Sequence, residues 1–201
     1  MAGYERTVAR THQLLGASST VLEIGCGTGT TALKLAPSVS RIDATDVSVE
    51  MIAIAREKAA AGACENVTFN VVPASSDLGA EARYDAVLAF NVLHLIRDRA
   101  AALADARRVL KPSGLLIAKT PCLSEMNRLI QIAVPIAQWF GKAPSVSFFT
   151  AAELEAEIAQ AGFSIVERAR HGSGRKDPRI FLVARKVEAS LSGDVPKLST
   201  T

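Results

Sequence analysis

The stretch that decides the fold runs from Val21 to Ala36, "VLEIGCGTGTTALKLA". A short apolar run breaks into glycines at alternate positions, Gly25, Gly27 and Gly29, and then resumes with helical spacing. That is the junction of a strand with a following helix. In an open α/β sheet, ligands bind there, outside the carboxyl ends of the strands. Glycine admits backbone angles closed to other residues and lets a ligand approach the main chain. The start of the helix adds unpaired N–H groups and the positive end of its dipole. The spacing narrows the ligand further. A dinucleotide fingerprint needs G-x-G-x-x-G, and Thr30 stands where its third glycine belongs. A phosphate-cradling loop needs Gly-Lys-Ser/Thr, which this stretch lacks. What remains is Glu23-x-Gly25-x-Gly27-x-Gly29. Glu23 disfavours an anionic diphosphate and suits a ligand that carries an ammonium group.

Outward from this stretch, apolar runs alternate with helical patterns. Strands are expected at 20–24, 41–45, 67–72, 84–90 and 114–119, with helices at about 29–36, 48–61 and 98–110. The strands read as continuous apolar runs, which suits a parallel sheet covered by helices on both faces. Ser48 is placed to cap the second of these helices and Gly62 to end it. "LKPSG", Leu110 to Gly114, reads as a stop and a turn before the fifth strand. Thr150 and Glu153 have capping-box spacing ahead of a helix that ends at Gly162. Strands at about 163–169 and 179–185 close the fold, joined by a polar loop. One domain is expected over residues 1–186, with a tail at 187–201 that reads as disordered.

Composition limits the function classes. Hydrophobic residues make up 49% of the 201-residue chain and charged residues 21%, the balance of a globular domain with a sizeable core. The net charge of +3 is too small to argue for nucleic acid by itself, although basic residues collect from Arg168 to Lys186. Cys26, Cys64 and Cys122 are odd in number and widely spaced, with no metal-ligand pairing and no disulfide framework, which suits a reducing, cytoplasmic setting. The first residues carry charges where a signal peptide needs an apolar core. No run reaches the roughly 18 apolar residues of a membrane span.

Four motifs in order, "VLEIGCGTG", "IDATDVSVEMIAIAREKA", "YDAVLAFNVLHLI" and "RRVLKPSGLLIAK", resemble the class I S-adenosylmethionine-dependent methyltransferases over about residues 15–186. The resemblance implies an α/β, Rossmann-like sheet of seven strands in the order 3-2-1-4-5-7-6, with strand 7 antiparallel. It implies S-adenosyl-L-methionine as cofactor and a small-molecule acceptor. Asp46, ending the second strand, would accept hydrogen bonds from both ribose hydroxyls; an ionised carboxylate can hold a vicinal diol through its two oxygens. Asp43 competes for that role but lies inside the strand. Glu23 would hold the aminoacyl end, while Gly25, Cys26 and Gly27 form the turn around it. Cys26 sits where small residues are common in the family, which weighs against a nucleophile. Val47 and Met51 would pack on the adenine.

The chain departs from the family pattern after the third strand. An acidic residue often bonds the adenine amino group there, and Ala74 stands in its place, so backbone groups around Ala74 and Ser75 are the expected contacts. Phe90 and Asn91 end the fourth strand beside cofactor and acceptor. The turn Asn91-Val92-Leu93-His94 lacks the prolines usual in enzymes that methylate nucleic-acid bases. His94 is a candidate general base, as is Tyr4, although a structural role for His94 is favoured. Residues 121–149 hold more apolar residues than one helical face can bury, with Pro135 interrupting them. They are expected to form a helical lid over an apolar acceptor pocket, with Trp139 as its marker. The other readings are an RNA methyltransferase, a non-catalytic cofactor-binding partner and a nicotinamide oxidoreductase, the last opposed by the glycine spacing. The oligomeric state is not legible.

Overall fold

The computed structural model describes residues 2–74, 78–125, 146–172 and 178–188. In chain order the elements are α1 (Ala2–Leu14), β1 (Thr20–Ile24), α2 (Thr30–Leu35), β2 (Arg41–Asp46), α3 (Val49–Ala61), β3 (Val67–Val71), β4 (Tyr84–Phe90), α4 (Arg99–Val109), β5 (Leu110–Pro121), α5 (Ala151–Gln160), β6 (Phe163–Ala169) and β7 (Arg179–Lys186). One seven-stranded sheet runs β3-β2-β1-β4-β5-β7-β6. Strands β1 to β5 are parallel, and β7 runs antiparallel to both β5 and β6. This is the order the motifs imply, and it sets the carboxyl ends of β1, β2, β3 and β4 along one edge.

The helix starts follow their capping chemistry. The Ser48 hydroxyl accepts from the Met51 N–H at 3.2 Å, and the Asp98 carboxylate from the Ala101 N–H at 2.9 Å. Thr150 and Glu153 form the reciprocal capping box at the start of α5. Each cap satisfies N–H groups that the helix itself leaves unpaired.

Register divides the residues between two faces, because alternate strand residues point to opposite sides. Leu22, Val87 and Leu116 pack with Leu103 of α4 and Leu154 of α5 in one core. Val21, Ile42, Phe69 and Leu88 pack on the other face with Leu35 of α2 and Ile52 of α3. The expectation of helices on both faces holds except at β2 and β3, where one face carries no helix among the described residues. In β2 and β3 the apolar residues Ile42, Ala44, Val67 and Phe69 all face α2 and α3. Their neighbours Arg41, Asp43, Thr45, Thr68 and Asn70 face the other way, and no described residue between β3 and β4 is helical.

Two further features depart from the sequence reading. Strand β5 begins at Leu110, ahead of the expected 114. Leu110 pairs with Tyr84 and Leu115 with Ala86, so residues 111–114 bulge out opposite Asp85, with Ser113 in the left-handed region at φ 58°. The turn signal was sound, but it is a bulge carried within a strand. Helix α1 was not expected. Its buried face carries Thr7, Val8 and Thr11, and threonines hide the apolar period from a sequence reading. Of the expected lid, residues 126–145, with Pro135 and Trp139, lie outside the described residues, as do 189–201 of the tail. Phe149 is buried in the core beside α5.

Helix α1 docks across the α2/α3 face. The Tyr4 hydroxyl lies 3.2 Å from Thr31 Oγ1, and Arg10 grips Glu167 through Nε and Nη2. The buried Lys119 donates to the Gly3 carbonyl at 3.0 Å and to Thr7 Oγ1 at 2.7 Å. A side chain at Gly3 would overlap the His171 carbonyl oxygen. Gly3→Ala is therefore expected to destabilise the protein by about 1–3 kcal/mol, the usual cost of overpacking, and to speed amide exchange through residues 2–14. Unchanged exchange in α1 would show that this contact does not hold the helix.

Candidate functional site

The site is organised by one carboxylate at the end of β2. Asp46 Oδ2 accepts from the Gly27 N–H at 2.8 Å, and Oδ1 accepts from the Ser48 N–H at 3.0 Å. The first bond ties the glycine turn to the second strand; the second orients the start of α3. Each oxygen retains a further lone pair for a ligand.

The glycines serve different ends. Gly25, Gly27 and Gly29 all have positive φ, at 68°, 52° and 73°, a conformation that favours glycine. A Cβ at Gly25 would overlap Val92, and one at Gly29 would come within 2.7 Å of the Phe69 ring. At Gly27 it would meet nothing within 4 Å. So protein packing excludes side chains at the outer two positions, and only Gly27 faces open space.

Beside this turn lies a cavity of about 400 Å³. Gly25, Asp46, Val47, Ala74 and Asn91 line it, all expected at the site. Asn91 takes the left-handed region at φ 53°, which asparagine tolerates better than most residues. The rest of the wall was not anticipated: Val72, Pro73, Val92, Leu95, Ile96, Arg97 and Asp98. The only sequence signal for the last four was their closeness to the turn after β4. Met51 stands exposed on the first turn of α3, outside the cavity wall. Phe90 is half-buried and packs against the α2/α3 core. Ser75 lies outside the described residues.

Glu23 sits behind the turn, 2% exposed. The backbone N–H of Ala32, in the first turn of α2, bonds its carboxylate, but burial and the Asp46 charge outweigh that bond and push the pKa up to about 8. Its Oε2 is buried without a hydrogen-bond partner. An orphaned carboxylate oxygen is costly to bury, and an ammonium group is the partner that removes the cost. Cys26 is buried alongside, and burial with the Glu23 charge pushes its thiol well above the ordinary value, which keeps it protonated and a poor nucleophile. His94 lies in a turn of 3-10 helix with Nδ1 3.3 Å from Thr120 Oγ1. Burial lowers its pKa, so the imidazole is neutral at pH 7. Neither His94 nor Tyr4 lines the cavity.

Among the described residues, four basic side chains near the C-terminus are engaged, Arg185 through the Ser113 carbonyl. Arg168 pairs with Glu155 at 2.6 Å and Arg170 with Glu125 at 2.7 Å, while Lys186 donates to the Leu110 carbonyl.

This sheet order, with a glycine turn opening on a cleft at the carboxyl edge, is an open α/β arrangement whose ligand sites lie at that edge. Residues 21–114 match the family described as a methyltransferase domain. A highly reducing polyketide synthase of Aspergillus sclerotiorum is 30% identical over 161 residues, covering 72% of this chain and 6% of that protein. The chain thus spans about a twentieth of the length of the curated relatives it matches. The YcgJ protein of Bacillus subtilis superposes with a TM-score of 0.75 at 18% identity, over 92% of this chain and 100% of that one. A Burkholderia thailandensis 1,6-didemethyltoxoflavin-N1-methyltransferase, with 1,6-didemethyltoxoflavin and S-adenosylhomocysteine bound, gives a TM-score of 0.72 at 22% identity, over 93% of this chain and 79% of that one. Residues 21–114 are thus similar to methyltransferase domains, and the chain shares its fold with a neighbour that binds S-adenosylhomocysteine. Among the described residues no helix is long and apolar enough to cross a membrane.

Glu23 makes the stability of the cofactor-free protein depend on pH. Its raised pKa means that the folded protein keeps a proton that the unfolded chain releases. That contribution is complete below about pH 4.5 and is lost as pH rises through about 8; each tenfold difference in proton affinity between the two states is worth roughly 1.4 kcal/mol. Without cofactor, the unfolding free energy should fall between pH 5 and pH 8.5, and Glu23→Gln should flatten that fall. Equal slopes in denaturant titrations of the two proteins would mean that Glu23 is ionised in the fold.

Proposed function

We propose that this domain transfers the methyl group of S-adenosylmethionine to a small, apolar organic acceptor by in-line displacement. The observation that carries the cofactor half is the pairing of Asp46 at the cavity rim with the orphaned Glu23 oxygen behind the turn. In this reading Asp46 holds the ribose hydroxyls and Glu23 receives the ammonium of the aminoacyl end. Gly27 leaves room for that end to cross the turn. Val47, with Met51 at the margin, covers the adenine, whose edge meets the backbone around Ala74 and Ser75. Phe90 and Asn91 border the place where methyl donor and acceptor meet.

When bound, the sulfonium supplies an activated methyl group and a neutral leaving group. The protein's remaining work is alignment and exclusion of water, which contributes up to roughly 7–11 kcal/mol in favourable cases. For an acceptor that must lose a proton, His94 is the nearer candidate base, being neutral at pH 7 and close to the turn after β4. Two comparisons support a small acceptor: the Burkholderia neighbour binds 1,6-didemethyltoxoflavin, and a polyketide synthase contains a stretch similar to this chain. The apolar wall of Val72, Pro73, Val92, Leu95 and Ile96 agrees with it. Pairing of Arg168 and Arg170 with carboxylates weakens the case for RNA, whose binding depends on uncompensated positive charge.

Asp46→Ala should remove two charge-assisted bonds to the ribose, each worth roughly 1.5–3 kcal/mol, and raise the cofactor Kd about a hundredfold or more. Calorimetry measures this, with the melting temperature as the check on folding; a near-wild-type Kd would mean that another carboxylate holds the ribose. Gly27→Val should block the cofactor by filling the one open position of the turn. The acceptor reading is tested by incubating labelled S-adenosylmethionine with a panel of small apolar acceptors and with RNA. Label in the organic extract, saturable in the acceptor, is the expected result; label recovered only in RNA overturns it.

A further inference from the structure

We propose that a second cavity, on the sheet face away from α2 and α3, is a binding site for the phosphate group of a small organic phosphate. This cavity of about 310 Å³ lies over β2 and β3, where the chain places no covering helix among the described residues. Its polar lining includes Arg41, Asp43, Thr45, Asn70, Arg83 and Tyr84.

The charges there do not balance. Asp43 is buried, and three donors converge on it. Arg41 bonds Oδ1 at 2.9 Å, while Arg83 and the Tyr84 hydroxyl each bond Oδ2 at 2.9 Å. Among the described residues, Asp43 is the one carboxylate paired with either guanidinium. Two positive charges therefore share a single negative one whose oxygens are already occupied. Each guanidinium carries five N–H groups in a planar fork, so both keep donors beyond those given to Asp43. Both side chains are nearly half exposed, which leaves them open to a ligand from solvent. Asp43 fixes the two forks from opposite strands, one at the start of β2 and one just before β4. A phosphate oxyanion matches such forks bidentately and carries the charge that balances them. Asn70 adds an amide at the rim. The volume exceeds that of a bare phosphate, which leaves room for a small organic body.

The site adjoins the methyl-donor cleft without belonging to it. Val72 lines both cavities, and its N–H bonds the Asp46 carbonyl at 3.0 Å. The inference does not rest on the acceptor reading above, and its test needs no methyl transfer.

The test is calorimetric titration of the full chain with glycerol 3-phosphate and, separately, inorganic phosphate. Saturable 1:1 binding of glycerol 3-phosphate is expected, with inorganic phosphate binding more weakly at the same site. Arg83→Met should weaken binding at least tenfold, Arg83→Lys should recover part of the loss, and S-adenosylmethionine binding should confirm that each variant is folded. Arg41→Met is the second variant, with the same expectation, should Arg83→Met not fold. Absence of saturable binding, or equal affinity in the wild type and a folded arginine variant, would reduce the cluster to a structural ion triad and overturn the proposal.

Discussion

One carboxylate, at Asp46, connects everything that the candidate site depends on. Its two oxygens accept N–H bonds from Gly27 and Ser48, so a single side chain sets both the glycine turn after β1 and the first residue before α3. The turn is held further by the Cys26 N–H on the Thr45 carbonyl at 2.9 Å, the Gly29 N–H on the Cys26 carbonyl at 3.0 Å and Lys58 on the Thr28 carbonyl at 3.2 Å. Its three glycines adopt positive φ, and each gives up more backbone freedom on folding than another residue would. Packing of Val92 against Gly25 and of Phe69 against Gly29 closes the remaining sides. A ligand that bonds Asp46 therefore meets a carboxylate already oriented by two backbone amides, and little ordering is left to the binding step.

The sheet explains why the site lies where it does. Parallel strands β1, β2, β3 and β4 end on one edge, and the chain leaves each of them through a turn. Three of those turns, after β1, β2 and β4, lead into a helix whose capping or docking fixes it. The turn after β3 differs. It feeds no helix among the described residues, and it forms the wall shared by the two cavities through Val72. The polar residues of β2 and β3 that face this side follow from the same fact. With no helix to cover them, apolar side chains there would lie exposed, and the strands alternate instead.

Much of this was legible in the sequence because the decisive signals are local. The Glu23–Gly29 spacing, the Ser48 and Thr150 caps and the stop at Gly62 depend on residues within one turn of each other. The strand order followed from four motifs in sequence. Helix α1 was hidden because its buried face is built from Thr7 and Thr11, which satisfy themselves through Gly3, Thr7, Lys119 and His171 contacts up to 164 residues apart. The start of β5 was hidden because Pro112, Ser113 and Gly114 mark a turn whether it ends a strand or bulges from one. The wall from Leu95 to Asp98 was hidden for a third reason: an irregular segment carries no period, and only the folded chain shows which way it faces.

Glu23 shows how a residue can be read correctly by type and still gain its meaning from burial. An acidic residue before the glycines indicates a cationic ligand, and in water that carboxylate would be charged and hydrated. In the fold it is enclosed, bonded on one oxygen by the start of α2 and left without a partner on the other. Burial then holds a proton on it near neutral pH. An arriving ammonium group reverses that balance, since a charge within hydrogen-bond reach favours the ionised carboxylate. In the proposed reading, binding and proton release would be coupled at one atom. Such coupling would make the site selective, because a neutral ligand of the same shape would leave the protonated acid in place and gain only a neutral hydrogen bond, about half as strong as the charged one. In that reading, preference for a zwitterionic aminoacyl group would rest on the burial of one side chain, and open space at Gly27 would give that group room to reach it.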